Sequence, residues 1–216
     1  MIFAGPTRWF ETFRTPRLRP EFKFRLDDGT PVQVRPLQPE DAHRLRAGFQ
    51  QMSQLARRRR FLADVNELTD NQVAEFTHLD QIDRAAWGCM NRERPKEPGV
   101  GVARYQRVNG DRKSADVAIT VLEEYQGRGA GMLLHACLHL TAHRAGIRRF
   151  YYDVLRDNQR FIAQIKALGG SFEGRAANIE RWSLPVYHRA RDVPAATSMG
   201  RRFSEILLKL GRAPAA

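Results

Sequence analysis

The stretch YQGRGAG, residues 125–131, constrains this chain more than any other. Its glycines follow an alternating segment, 115–122, that reads as a strand, and they open a segment, 130–145, apolar at helical spacing. A strand that ends in glycine-rich backbone at a helix start makes an anion site. Glycine lets the backbone approach closely, and the first helical N–H groups are unpaired and electropositive. Phosphate is the natural occupant. The dinucleotide pattern G-x-G-x-x-G fails, because Met132 stands where its third glycine belongs, and no Gly-Lys-Ser/Thr closes the turn as a Walker loop requires.

The rest of the chain orders itself around that turn. Asp28-Gly29 between two alternating segments predicts a β-hairpin. Pro39-Glu40-Asp41 opens a helix running to about Met52, a second helix carries Arg57 to Arg60, and a third starts near Thr69. There T-D-N-Q has the capping-box spacing. Segments 85–91, 99–108 and 115–122 read as a three-strand antiparallel meander, with ERPKEP and NGDRKS as its loops. Beyond the glycine turn come a helix ending at Gly146, a strand at 149–154, a helix at 159–168 and short strands near 171–175 and 180–185. The expected organisation is an extension, 1–21, a domain, 22–185, and a tail, 186–216. In the tail Phe203, Ile206, Leu207 and Leu210 form one helical stripe flanked by Arg201, Arg202, Lys209 and Arg212, which we expect to pack back on the domain. Contact of the tails with a membrane surface is the alternative.

Lys and Arg outnumber Asp and Glu by 36 to 24, a formal charge of +12. Such a surface attracts anions. The run Arg57–Arg60 lacks the interleaved aromatics of a base-stacking platform, so it reads as a solvated helix face and nucleic acid is not the expected partner. Cys89 and Cys137 form neither a disulfide framework nor a metal pattern and suit a cytoplasmic protein. The first residues lack the apolar core of a signal peptide. His135, His139 and His143 share one helix edge, but without an HExxH glutamate they read as an exposed polar edge, and no metal is expected.

Gln126 to Gly131 fits Q/R-x-x-G-x-G/A, and the order of elements fits with it: hairpin, helices, meander, glycine turn, helix, strand, helix. In both respects the chain resembles the GNAT acetyltransferases. DDGTPVQVRPLQPEDA, ARRRRFL, FTHLDQIDRAAWGCM, GVGVARY and SADVAITVLEEYQGRG resemble more narrowly the GNAT domain of bacterial protein lysine acetyltransferases. Those enzymes act on acyl-CoA synthetases and related metabolic enzymes, in some cases fused to a cyclic-nucleotide or synthetase-like module for which the tails here look too short. The resemblance implies an α/β fold with a mixed, mostly antiparallel sheet flanked by helices. It implies acetyl-CoA as acyl donor and a protein lysine as acceptor, for example on an acyl-CoA synthetase. Small amines remain open as acceptors, as does a CoA-binding module without turnover.

The resemblance also assigns roles. Backbone of Ile119, Thr120 and Val121 would pair with the pantetheine arm like an added strand. Amides of Gln126, Gly127, Arg128, Gly129, Ala130, Gly131 and Met132 would hold the pyrophosphate, with charge from Arg128. Asn158 would contact the cofactor from the neighbouring strand, and a splay between the two strands would form the acyl slot. A lysine is neutral to under roughly 0.1% at pH 7, a penalty of about 4.6 kcal/mol, so attack on the thioester needs a base. Asp116 is the candidate, in Ala115-Asp116-Val117-Ala118 where the family usually has Glu. Glu123 and Glu124 are reserve candidates for the base, but they sit nearer the cofactor loop and read as surface residues. The family's leaving-group tyrosine is missing, since Ile165 holds the equivalent position.

Overall fold

A computed structural model describes residues 21–212. The aromatic and basic residues from Phe3 to Arg19 lie outside that range. Strand β1 (Phe22–Arg25) turns at Asp28-Gly29 into β2 (Pro31–Pro36), as the hairpin signal predicts. A 3-10 turn, Pro39–Asp41, leads into α1 (Ala42–Gln51), and α2 (Gln54–Phe61) follows. In α3 (Asp70–Thr77) the capping box is complete: the Thr69 hydroxyl accepts from Gln72 N–H while the Gln72 side chain accepts from Thr69 N–H. The meander is β3 (Arg84–Asn91), β4 (Gly101–Val108) and β5 (Asp111–Val121). After the glycine turn come α4 (Ala130–Arg144), β6 (Arg149–Leu155), α5 (Gln159–Ala167), β7 (Ser171–Ala176), β8 (Ile179–Pro185) and α6 (Ser198–Arg212).

The eight strands form one sheet in the order β1-β2-β3-β4-β5-β6-β8-β7. Every neighbouring pair is antiparallel except β5 and β6. This is the mixed, mostly antiparallel α/β sheet expected from the sequence. Helix α4 packs on β3, β4 and β5 and carries α6 on its outer side. Its buried residues, including Leu133, Leu134, Ala136 and Leu138, meet Trp87, Tyr105, Phe150 and Leu184 of the sheet. Phe203, Ile206, Leu207 and Leu210 of α6 belong to this same core.

Four local readings change. Strand β5 starts at Asp111, because Asn109-Gly110 alone turns the hairpin: Val108 pairs with Asp111 across it, and Gly110 takes φ +80. A two-residue Asn-Gly turn matches strand twist, so the residues after it continue the ladder instead of forming a loop. The arginine run is no solvated face. Arg57 donates to carbonyls of Phe49, Gln50 and Asn66, Arg59 reaches Asp157, and Arg60 lies against Phe61 and Phe76. Arg58 is exposed.

The histidine edge is not exposed either. His135 and His139 are fully buried. His139 Nδ1 accepts from Tyr187 N–H at 2.9 Å, so its Nε2 carries the proton and donates to His135 Nε2 at 3.2 Å, which Tyr152 Oη also meets at 2.6 Å. The third histidine, His143, stacks on His188 with ring centroids 3.7 Å apart. Among the described residues no group of His, Cys, Asp and Glu is arranged to hold a metal ion. The gap between the two short strands is a turn between β7 and β8 in which Ala177 takes φ +51; Leu62 and Gln81 also take positive φ.

Candidate active site

β5 and β6 pair only from Ser114–Arg149 to Asp116–Tyr151, and then part. Beyond that point β5 has a strand on one side alone. Thr120 turns its carbonyl toward Gly101 of β4, and Leu122 N–H donates to Val100. Backbone groups alternate sides along a strand, so those of Ile119 and Val121 face the gap. Gln126 Nε2 donates to the Val121 carbonyl there at 3.0 Å. The cleft continues along Val117–Val121 to the glycine turn and is closed across from β5 by Asp153, Val154, Asn158 and Phe161. Arg59 of α2 roofs it by reaching both the carbonyl and the carboxylate of Asp157.

The glycine turn is shaped for backbone amides to face an anion. Gly127 and Gly129 take φ +82 and +90, which disfavour any side chain, and Gly129 caps the N-terminus of α4. Two cations close on it. Arg160 Nη2 of α5 lies 3.3 Å from where a side chain on Gly127 would begin. Arg202 of α6 crosses directly over Gly129 and ion-pairs with Asp27, whose own N–H donates to the Arg128 carbonyl. Neither arginine was among the sequence candidates. The one available signal for Arg202 was its place beside the α6 stripe.

Most candidates meet in this cleft: Ile119, Thr120, Val121, Gln126, Gly127, Gly129, Gly131, Met132 and Asn158 line it. Ala130 is buried behind the turn. The Arg128 side chain does not line the cleft. It pairs with Asp28 Oδ2 at 2.6 Å and covers the Tyr125 ring. Asp116 lies where the strands part, not in the cleft lining, with its side chain 52% exposed. Arg181 of β8 bonds Asp116 Oδ1 at 2.8 Å, holds Asp153 by both oxygens and covers Tyr151. The result is a carboxylate–guanidinium–carboxylate cluster, with Asp153 the member that lines the cleft. Glu123 caps α2 through Ser53 N–H and Oγ. Against the upward push of burial, these bonds hold its carboxyl below the usual range. Glu124 sits 3.9 Å from Arg94, and Ile165 is fully buried.

A parted strand pair ending in an amide-lined, cation-covered helix start is the geometry of a phosphorylated, strand-like ligand. Comparison with known proteins agrees. Residues 32–171 match the model of the acetyltransferase (GNAT) domain. The chain belongs to the GNAT acetyltransferase family. It is an N-acetyltransferase by that membership. An acetyltransferase of Pseudomonas aeruginosa is 30% identical over 126 residues, 58% of this chain and 67% of the relative. Acetyltransferase Pat of Mycolicibacterium smegmatis is 32% identical over 147 residues, 64% of this chain but 43% of that relative's length. Among solved structures, the GNAT domain of S. lividans PAT superposes with a TM-score of 0.70 at 28% identity, covering 76% of this chain and 96% of that one. A Salmonella typhimurium acetyltransferase structure containing acetyl-CoA shares the fold, with a TM-score of 0.58, 17% identity and coverage of 77% and 99%.

Proposed function

We propose that this chain transfers acetyl from acetyl-CoA to the ε-amine of a lysine on a protein, by direct attack in a ternary complex. The observation that carries the reading is the parting of β5 from β6 above a glycine turn covered by Arg160 and Arg202. The pantetheine arm lies against the exposed backbone of Ile119 and Val121, as an added strand. The pyrophosphate takes the amides around Gly127 to Met132, and Arg202 exchanges Asp27 for it. A backbone N–H of β5 in the gap stabilises the charge that develops on the thioester oxygen. The amine loses its proton to the Asp116–Arg181–Asp153 cluster and forms the amide bond with the acetyl carbon, while the thiolate leaves as CoA and takes a proton from water.

The protein acceptor rests on the sequence resemblance and on the +12 charge, which suits an acidic partner better than a cationic small amine. The test is release of CoA thiol from acetyl-CoA by the purified chain, with acyl-CoA synthetases and a panel of small amines, beside calorimetric binding of acetyl-CoA. Release that depends on a protein acceptor supports the reading. Release with small amines alone overturns the acceptor, and failure to bind acetyl-CoA overturns the site.

A further inference from the structure

A second cavity lies beneath α1, α2 and α3 and shares Met52, Arg60, Ala118 and Thr120 with the cofactor cleft. Its walls are mainly apolar, with Leu37, Leu45, Phe49, Phe61, Leu68 and Phe76 prominent. Yet its lining holds four arginines and one aspartate. Arg35 is fully engaged by Asp41, with two bonds of 2.7 Å. Arg44 is spent on the carbonyls of Glu97 and Pro95. Arg104 has the Glu75 carboxylate at 3.7 Å and the Gln106 amide oxygen at 3.5 Å, and its guanidinium lies 4.3 Å over the Phe76 ring. Arg60 lies 4.9 Å over Phe61 and 5.8 Å over the same Phe76, and no acid or hydrogen-bond acceptor among the described residues engages it.

Arg60 is therefore a partly buried cation facing an apolar cavity beside a second cation. Burial and the neighbouring Arg104 hold its pKa down to about 10. A cation in such a place costs free energy that an incoming anion returns. A phosphate is a poor fit to walls of leucine and phenylalanine, whereas a carboxylate on a hydrocarbon stem satisfies both parts of the cavity.

We infer that this cavity binds a carboxylate carried on a short apolar stem, with Arg60 and Arg104 as its charge partners. The stem has two sources. It is either the acyl chain of a dicarboxylic acyl-CoA entering from the cleft across Ala118 and Thr120, or a separate small acid that enters between the helices. The first source rests on the acyl-CoA reading above, and the second does not.

The experiment uses the full chain and pairs each carboxylate with a neutral probe of similar shape. Calorimetry compares succinyl-CoA with butyryl-CoA, and 3-methylbutanoate with 3-methylbutanamide. Each pair is measured on the wild type, Arg60→Gln, Arg104→Gln and the exposed control Arg58→Gln, with folding checked by circular dichroism melts. The ratio within each pair cancels any general loss of cofactor affinity. We expect the wild type and Arg58→Gln to favour the carboxylate about tenfold, and Arg60→Gln to abolish the preference. A preference confined to succinyl-CoA identifies the acyl donor as the source, and one confined to 3-methylbutanoate identifies a separate acid. Equal affinities within both pairs, or a preference that survives both cavity substitutions, overturns the inference. Should acetyl-CoA and every other thioester fail to bind, the acyl-CoA reading falls and the free-acid pair still decides this one.

Discussion

At the scale of single residues, the proposed proton acceptor is the ion-paired cluster Asp116–Arg181–Asp153. Asp116 is the carboxylate that sequence singles out, and Asp153 is the one that lines the cleft. Asp116→Asn keeps a hydrogen bond to Arg181 but cannot accept a proton, so kcat should fall about 10²–10⁴-fold with acetyl-CoA affinity unchanged. The same loss on Asp153→Asn, with Asp116→Asn near wild type, would move the base to β6. Gly129 poses a second residue-scale question. A methyl there would demand an unfavourable φ and meet both Arg202 and Asp27. Gly129→Ala and Arg202→Ala should each weaken acetyl-CoA binding about tenfold or more, read by calorimetry. Unchanged affinity in Arg202→Ala would show that the arginine serves only its ion pair with Asp27. The glycine turn was legible because its backbone, with φ +82 and +90 at Gly127 and Gly129, favours glycine, and that requirement is written locally. Arg160 and Arg202 were illegible because only tertiary packing brings α5 and α6 over the turn.

At the scale of elements, periodicity and capping predicted nearly every strand and helix, since alternation and cap chemistry are local. What they missed was the use of polar residues inside packed elements. On α4 the spacing of His135 and His139 is equally consistent with an exposed edge and a buried one, and the outcome depends on α6 covering that side. Their burial has a measurable consequence. Burial drives the His135 pKa down to about 3, and His139, beside it, is also held well below its ordinary value. Between about pH 6.5 and 3 the unfolded chain therefore binds protons that the folded chain refuses, and stability rises with pH across that window. Each such histidine contributes a slope of about 1.4 kcal/mol per pH unit below its unfolded pKa. Urea denaturation at pH 7.0 and 5.5 should show a clear loss at the lower pH. Replacing His139 by Phe, which removes one titrating group, should shrink that loss. A midpoint independent of pH in the wild type would contradict the neutral, buried assignment. On α3 the Thr69 cap makes a simpler case: Thr69→Ala leaves Gln72 N–H unpaired and should cost about 1 kcal/mol in the same assay.

At the scale of the whole molecule, the family-matched segment ends at residue 171, while the core does not. Phe203 is fully buried, and Ile206, Leu207 and Leu210 are nearly so, against α4 and its neighbours. Burying a large apolar side chain is worth about 1.5–3 kcal/mol, so this stripe contributes on the order of the 5–15 kcal/mol by which a domain is stable. The same helix places Met199 and Arg202 in the cofactor cleft. Stability and the proposed cofactor site thus share one element that lies outside the matched segment, and the two roles can be separated. Ending the chain at residue 197 removes both, so the truncated protein should lose cooperative unfolding, or melt far below the full chain. Phe203→Ala removes packing alone and should cost about 3–5 kcal/mol. Arg202→Ala should leave the melting temperature nearly unchanged while weakening acetyl-CoA binding, because its exposed ion pair with Asp27 contributes little to folding. If truncation at 197 instead gave a stable protein that binds acetyl-CoA as the full chain does, α6 would be neither core nor clasp.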